Sequence, residues 1–157
     1  MYEPLVYISI VFSLIYLVNI LRFIVGLIKK TNIIVNDRTI PVSIIIAVKN
    51  GEKNLEQMMD RLLNQTYLGE MEFIMIDDES IDQTRQIIQN YSLKDSRFQY
   101  VSSEKGASYL KHKKKAIDAG IKASSYEHLL FTDIDCIIQY TWVESMVKYF
   151  SKDVDYI

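Results

Sequence analysis

The sequence predicts a doubly wound α/β domain with a mostly parallel sheet, preceded by one membrane-crossing helix, and three observations predict it. An apolar run from Leu5 to Ile28 is too long for an ordinary core helix. Short β-branched runs alternate with helically spaced apolar residues from Val42 onward. Polar clusters follow three of those short runs, all at the same end. The chain's 157 residues, 49% hydrophobic and 24% charged, fit one domain. A net charge of −2, with no basic stripe beyond Lys111 to Lys115, gives no electrostatic footprint for duplex nucleic acid, so no nucleic-acid partner is expected. The single cysteine, Cys136, cannot form an internal disulfide, which suits a reducing compartment.

The run LVYISIVFSLIYLVNILRFIVGLI, at about 1.5 Å per helical residue, crosses a hydrocarbon core of roughly 30 Å with some tilt. Arg22 lies near its C-terminal end, where it can snorkel toward the headgroups beside Lys29 and Lys30. By the positive-inside rule that side is cytoplasmic, which predicts a single-pass cell-membrane protein with everything after Lys30 in the cytosol. A cleaved signal peptide fits less well, because no Lys or Arg precedes the run and no small-residue cleavage pattern follows it. The predicted organisation is an anchor over 1–30, a polar linker over 31–40 and a domain over 41–157.

VSIIIAV, after Pro41, predicts a strand buried on both faces. Leu55, Met58, Met59, Leu62 and Leu63 recur at helical spacing, and EFIMI from Glu72 to Ile76 predicts the second strand. Ser80 and Gln83 are spaced as a capping box opening a helix with Ile87, Ile88 and Tyr91, and FQYV from Phe98 predicts the third strand. A helix through Ala116, Ile117 and Ile121 precedes a fourth strand, HLLFT. Thr141 and Glu144 are spaced to cap a last helix bearing Trp142, Met146 and Phe150. Strands alternating with helices in this way wind into a sheet covered on both faces.

In such a sheet ligands bind beyond the carboxyl ends of the strands. The first strand runs into Lys49, Asn50 and Glu52, the second into Asp77, Asp78, Ser80 and Asp82, and the fourth into Asp133 and Asp135. Two carboxylates one residue apart repel, unless a divalent cation such as Mg²⁺ or Mn²⁺ sits between them and a ligand's phosphates. The same D-x-D spacing serves equally as a solvated turn capping the strand. In DDESIDQT, Ser80 and Asp82 are accounted for by helix capping, whereas Asp77 and Asp78 are not. His112 and His128 have no partners at metal-ligand spacing, and no base is placed beside Cys136 to make it a nucleophile.

VSIIIAVKNGEKNL, MIDDESIDQT, KHKKKAIDAGI and LLFTDIDC, in this order and spacing, resemble the family-2 glycosyltransferases over about Pro41 to Phe150. The resemblance implies a GT-A-type, Rossmann-like fold and metal-dependent, inverting transfer of a sugar from a nucleotide-diphosphate sugar, such as a UDP-sugar. The acceptor would be a glycan or a lipid-linked chain, as in cell-envelope polysaccharide synthesis. By the same resemblance Asn50 and Glu52 lie in the nucleoside segment, and Asp77 and Asp78 bind base and ribose. Lys113, with Lys114, lies near the diphosphate, and Asp133 and Asp135 hold the metal, Asp133 also contacting the nucleotide-sugar. Gly51 stands where many members have an acidic residue.

In the family the general base comes well after the D-x-D, and none of Glu144, Asp153 and Asp155 matches its motif. The expectation is therefore a fragment lacking the acceptor half, with no transferase activity alone. Two other readings stay open. One is a noncatalytic, membrane-tethered nucleotide-binding remnant. The other is a haloacid-dehalogenase-like phosphatase, whose D-x-D nucleophile would instead lie on an early strand.

Overall fold

A computed structural model describes residues 3–28 and 39–150. Lys29, Lys30, the linker as far as Arg38, and the terminal carboxylates Asp153 and Asp155 lie outside the described residues. The N-terminal unit is a single helix, α1, over Glu3–Ile28. Its stretch Pro4–Ile28 reaches a mean hydropathy of 2.3 with none of that window buried, so by length and composition it can cross a membrane. Within it the Asn19 side chain donates to the Ile15 carbonyl at 2.9 Å, which satisfies one amide proton inside the helix itself.

The second unit runs β1 (Val42–Val48), α2 (Glu52–Leu63), β2 (Met71–Asp77), α3 (Thr84–Lys94), β3 (Phe98–Ser102), α4 (His112–Ala123), β4 (His128–Phe131) and α5 (Trp142–Val147). The four strands form one sheet in the order β3-β2-β1-β4, with every pairing parallel. The chain walks outward from β1 to β3 and then returns to pair β4 on the other side of β1, so the strand order switches between β1 and β4.

Strand alternation divides the core. Ile44, Ile46, Phe73 and Met75 pack on one face with Leu55, Met59 and Leu62 of α2, Ile88 of α3 and Val143 of α5. Ile45, Ile74, Ile76 and Val101 pack on the other with Ala116 and Ala119 of α4. Gly120 lets α4 sit that close, since a Cβ there would lie 2.7 Å from Ile45 and 2.8 Å from Ile76. Both faces being covered explains why the central strands β1 and β2 read as nearly continuous apolar runs.

Two expected capping boxes are not formed. α3 begins at Thr84, whose amide is capped by Asp82 Oδ1 at 3.0 Å, and Ser80 is engaged elsewhere. Thr141 precedes α5 without a side-chain cap, and Glu144 instead accepts from Thr66 at 3.2 Å and pairs with Lys148 at 2.9 Å. The helix itself stops at Val147, so Phe150 lies beyond it.

Candidate functional site

The carboxyl ends of β1 and β2 are level, with Val48 paired to Asp77, and the Asp78 amide donates to the Val48 carbonyl at 2.8 Å. This extends the pairing one residue past β2 and fixes Asp78 at the rim. Two loops leave that rim and are stitched together. The Asn50 amide donates to Ser80 Oγ (2.9 Å), and Asn50 Oδ1 accepts from the Ile81 amide (2.9 Å). Gly51 donates to Thr84 Oγ1 (2.8 Å), Glu52 donates to Asp82 Oδ2 (3.2 Å), and Glu52 Oε2 accepts from the Gln83 amide (3.1 Å).

The stitching explains several residue choices. Asn50 and Glu79 take φ values of 52° and 57°, in the left-handed region, and Asn tolerates that region better than most residues. A Cβ at Gly51 would lie 2.5 Å from Val48 Cγ1, a stiff and fully buried branch, so an acidic side chain in its place would have to displace the end of β1.

Asp77 is 1% exposed and turns inward. Its carboxylate accepts from the Ser80 amide at 3.0 Å, from Arg85 Nε at 3.4 Å and from the Tyr100 hydroxyl at 3.4 Å. Burial first, and the Asp77 charge second, hold the Tyr100 phenol above its ordinary range, which keeps it a neutral donor. Asp77 therefore holds the turn that carries Asp78.

A cavity of about 520 Å³ opens at the β1–β4 switch, lined by Asn50, Asp78, His112, Lys113, Asp133 and Asp135 among others. Acidic side chains following β2 and β4 thus share one cavity with a lysine from the start of α4. The structure brings Asn50, Asp78, Lys113, Asp133 and Asp135 together there. It places Glu52 in the loop stitch and Asp77 beneath the turn, both outside the lining. A second groove, of about 440 Å³, lies along Val18 to Gly26 of α1, but it is an open helix surface carrying no acidic group.

Lys113 Nζ lies 2.5 Å from Asp133 Oδ1 with the two side chains 57% and 52% exposed, so solvent screens the pair and it holds Asp133 only loosely. No group of three or more His, Cys, Asp and Glu that could hold a metal occurs among the described residues. Two carboxylates on a solvent-open cavity nonetheless fit a hard divalent cation, which commonly takes one or two carboxylates and completes its shell with phosphate oxygens and water.

Sequence reasoning passed over three contributors. The spacing of Ser80 and Gln83 predicts a helix cap and Thr84 carries no signal of its own, so nothing local marks either as a partner of a loop some thirty residues earlier. His112 has no partner at metal-ligand spacing in the sequence, yet it lines the cavity beside Lys113. Its place at the first residue of α4, next to a cation, was the available signal.

Fold and cleft together define a doubly wound α/β domain of the kind that binds nucleotides at the switch point of its sheet. The chain belongs to glycosyl transferase family 2, whose sequence pattern residues 43–157 match. It is 27% identical over 112 residues to an uncharacterized glycosyltransferase of Haemophilus influenzae, covering 71% of this chain and 33% of that protein. Against the poly-beta-1,6-N-acetyl-D-glucosamine synthase of Staphylococcus epidermidis it is 30% identical over 112 residues, covering 71% and 26% respectively.

Among solved structures it resembles S. aureus TarS 1-349 in complex with UDP-GlcNAc, with a TM-score of 0.54 and 26% identity over 68% of this chain and 30% of that one. The mannosyltransferase PcManGT from Pyrobaculum calidifontis, in complex with GDP-Man and Mn2+, shares the fold with a TM-score of 0.63 at 19% identity over 76% and 34%. The GT-A-like fold expected from the resemblance is the fold found. The chain spans about a third or less of the length of these relatives.

Proposed function

We propose that this chain provides the donor-binding part of a metal-dependent, inverting glycosyltransferase acting at a membrane. The observation that carries the reading is the shared cavity of Asp78, Lys113, Asp133 and Asp135 at the β1–β4 switch. Asp78 accepts hydrogen bonds from the ribose or base, and the Asn50 loop, stitched to the turn carrying Asp78, borders the nucleoside. Lys113, released from its screened pair with Asp133, places its ammonium against the diphosphate. Asp133 and Asp135 are the residues that would hold a Mg²⁺ or Mn²⁺ ion. When bound, that ion offsets the charge of the departing nucleoside diphosphate.

Inversion requires a base for the acceptor hydroxyl. Glu144, the one carboxylate among the described residues after Asp135, is engaged by Thr66 and Lys148, so no base is assigned to it. In this reading Pro4–Ile28 anchors the chain as a single pass, residues 31–40 link, and the domain from residue 41 onward lies in the cytoplasm. The acceptor in this reading is a glycan or a lipid-linked sugar, and the likeness to a poly-beta-1,6-N-acetyl-D-glucosamine synthase supports a glycan.

Titration calorimetry of the detergent-solubilised chain with UDP-GlcNAc and GDP-mannose tests this, each run with and without Mn²⁺. Binding of one donor that requires the cation, weakened more than about tenfold by Asp135→Asn, is the expected result, since even outer-shell partners of a metal cost that much. Equal binding with and without Mn²⁺ would remove the metal-dependent reading, and no binding of any nucleotide sugar would leave a noncatalytic remnant.

A further inference from the structure

Lys105, Lys111, Lys113, Lys114 and Lys115 fall between Glu104 and Asp118 with no acid among them. Of these, Lys113 pairs with Asp133, and Lys105, Lys111 and Lys114 have no ion-pair partner among the described residues. Tyr109 stands 83% exposed beside them, and Tyr109, Leu110 and the residues from Lys111 to Lys114 line a shallow groove of about 480 Å³. Helix stability does not account for this arrangement, because cations in the first turn of α4 oppose the helix macrodipole. Core packing does not account for Tyr109.

We propose that this basic, aromatic patch docks on a bilayer surface rich in anionic headgroups. Charge complementarity selects that occupant. Lysines on flexible stems reach phosphate and carboxylate headgroups, while a tyrosine ring with an adjacent leucine suits the headgroup depth that aromatic residues favour. The covalent connection from α1 holds a bilayer close at hand, as only ten residues join Ile28 to Thr39. His112 and Lys113 line both the patch and the donor cavity, so docking would turn the cavity's rim toward the membrane, where a lipid-linked acceptor would lie.

The proposal rests on the membrane-anchor reading, and its test separates the two. The full chain carrying Tyr109→Trp is reconstituted in vesicles of phosphatidylcholine, alone or with about a third phosphatidylglycerol, each made with brominated acyl chains. The signal is the fluorescence difference from the parent, which retains Trp142. Quenching of the introduced tryptophan in the anionic vesicles alone, reversed by high salt, is expected. Lys111→Glu with Lys114→Glu in the same background should lower the docked-to-free ratio more than about tenfold, each lysine at an anionic leaflet being worth about fivefold. A chain retained through alkaline carbonate but equally quenched in both vesicle types, or unaffected by the charge reversals, overturns the docking and leaves the anchor standing. Release of the chain by carbonate overturns the anchor, and the docking with it.

Discussion

At the scale of single residues, the two segments with which the resemblance associates donor binding are tied to one another before any donor arrives. The Asn50 backbone amide donates to Ser80 and its Oδ1 accepts from Ile81, while the residue itself lines the cavity. Thr84 is the buried pin of this stitch, fully inaccessible and accepting from the equally buried Gly51 amide at 2.8 Å. Thr84→Val keeps the shape and deletes the acceptor, stranding a buried N–H, which costs roughly 1–3 kcal/mol. Chemical denaturation of the two proteins measures that loss, and Thr84→Ser, which keeps the hydroxyl, should recover most of it. A valine variant as stable as the parent would show that the stitch contributes nothing.

At the scale of elements, the central strands β1 and β2 were legible because both faces of the sheet are covered there, and all four strands ended within a residue or so of the expected bounds, although Gln99 interrupts the apolar pattern of the edge strand β3. The D-x-D and Asp78 were legible as acids at strand ends. What the sequence hid was long-range pairing. A serine three residues before a glutamine looks the same whether it caps the next helix or receives the Asn50 amide, and only the parallel β1–β2 register brings that amide to it.

Asp118 is another such case. Its carboxylate accepts from the Ala107 amide at 2.7 Å and pairs with Lys122 at 2.8 Å, tying the loop before α4 back onto the helix. Lys122 first, and the Ala107 amide second, hold Asp118 below its ordinary value of 3.8. A carboxylate depressed on folding stabilises the fold above its unfolded value, and that contribution is lost as pH falls through the lower folded value. Asp118→Asn should therefore have a lower urea midpoint than the parent near neutral pH, with the gap closing as pH drops below the carboxylate range. A gap independent of pH would assign the loop's attachment to something other than this charge.

At the scale of the whole molecule, the helix Glu3–Ile28 and the globular unit make different demands on their surroundings, and the charges at the helix end decide how both are met. Every side chain described from Pro4 to Ile28 is solvent-exposed in isolation, and a helix that long and apolar is suited to a lipid bilayer. With Arg22, Lys29 and Lys30 toward the C-terminal side of the apolar run and no Lys or Arg before it, the proposed orientation, by the positive-inside rule, has the globular unit in the cytoplasm. The chain carries its own reporter, because its one cysteine, Cys136, is exposed on the globular unit. A membrane-impermeant maleimide should leave Cys136 unlabelled in intact cells and label it once the membrane is opened. Replacing Arg22, Lys29 and Lys30 with glutamine while adding lysines ahead of Leu5 should reverse that pattern. Labelling of the parent in intact cells would put the globular unit outside, away from cytosolic nucleotide sugars, and would leave the proposed donor site without a supply.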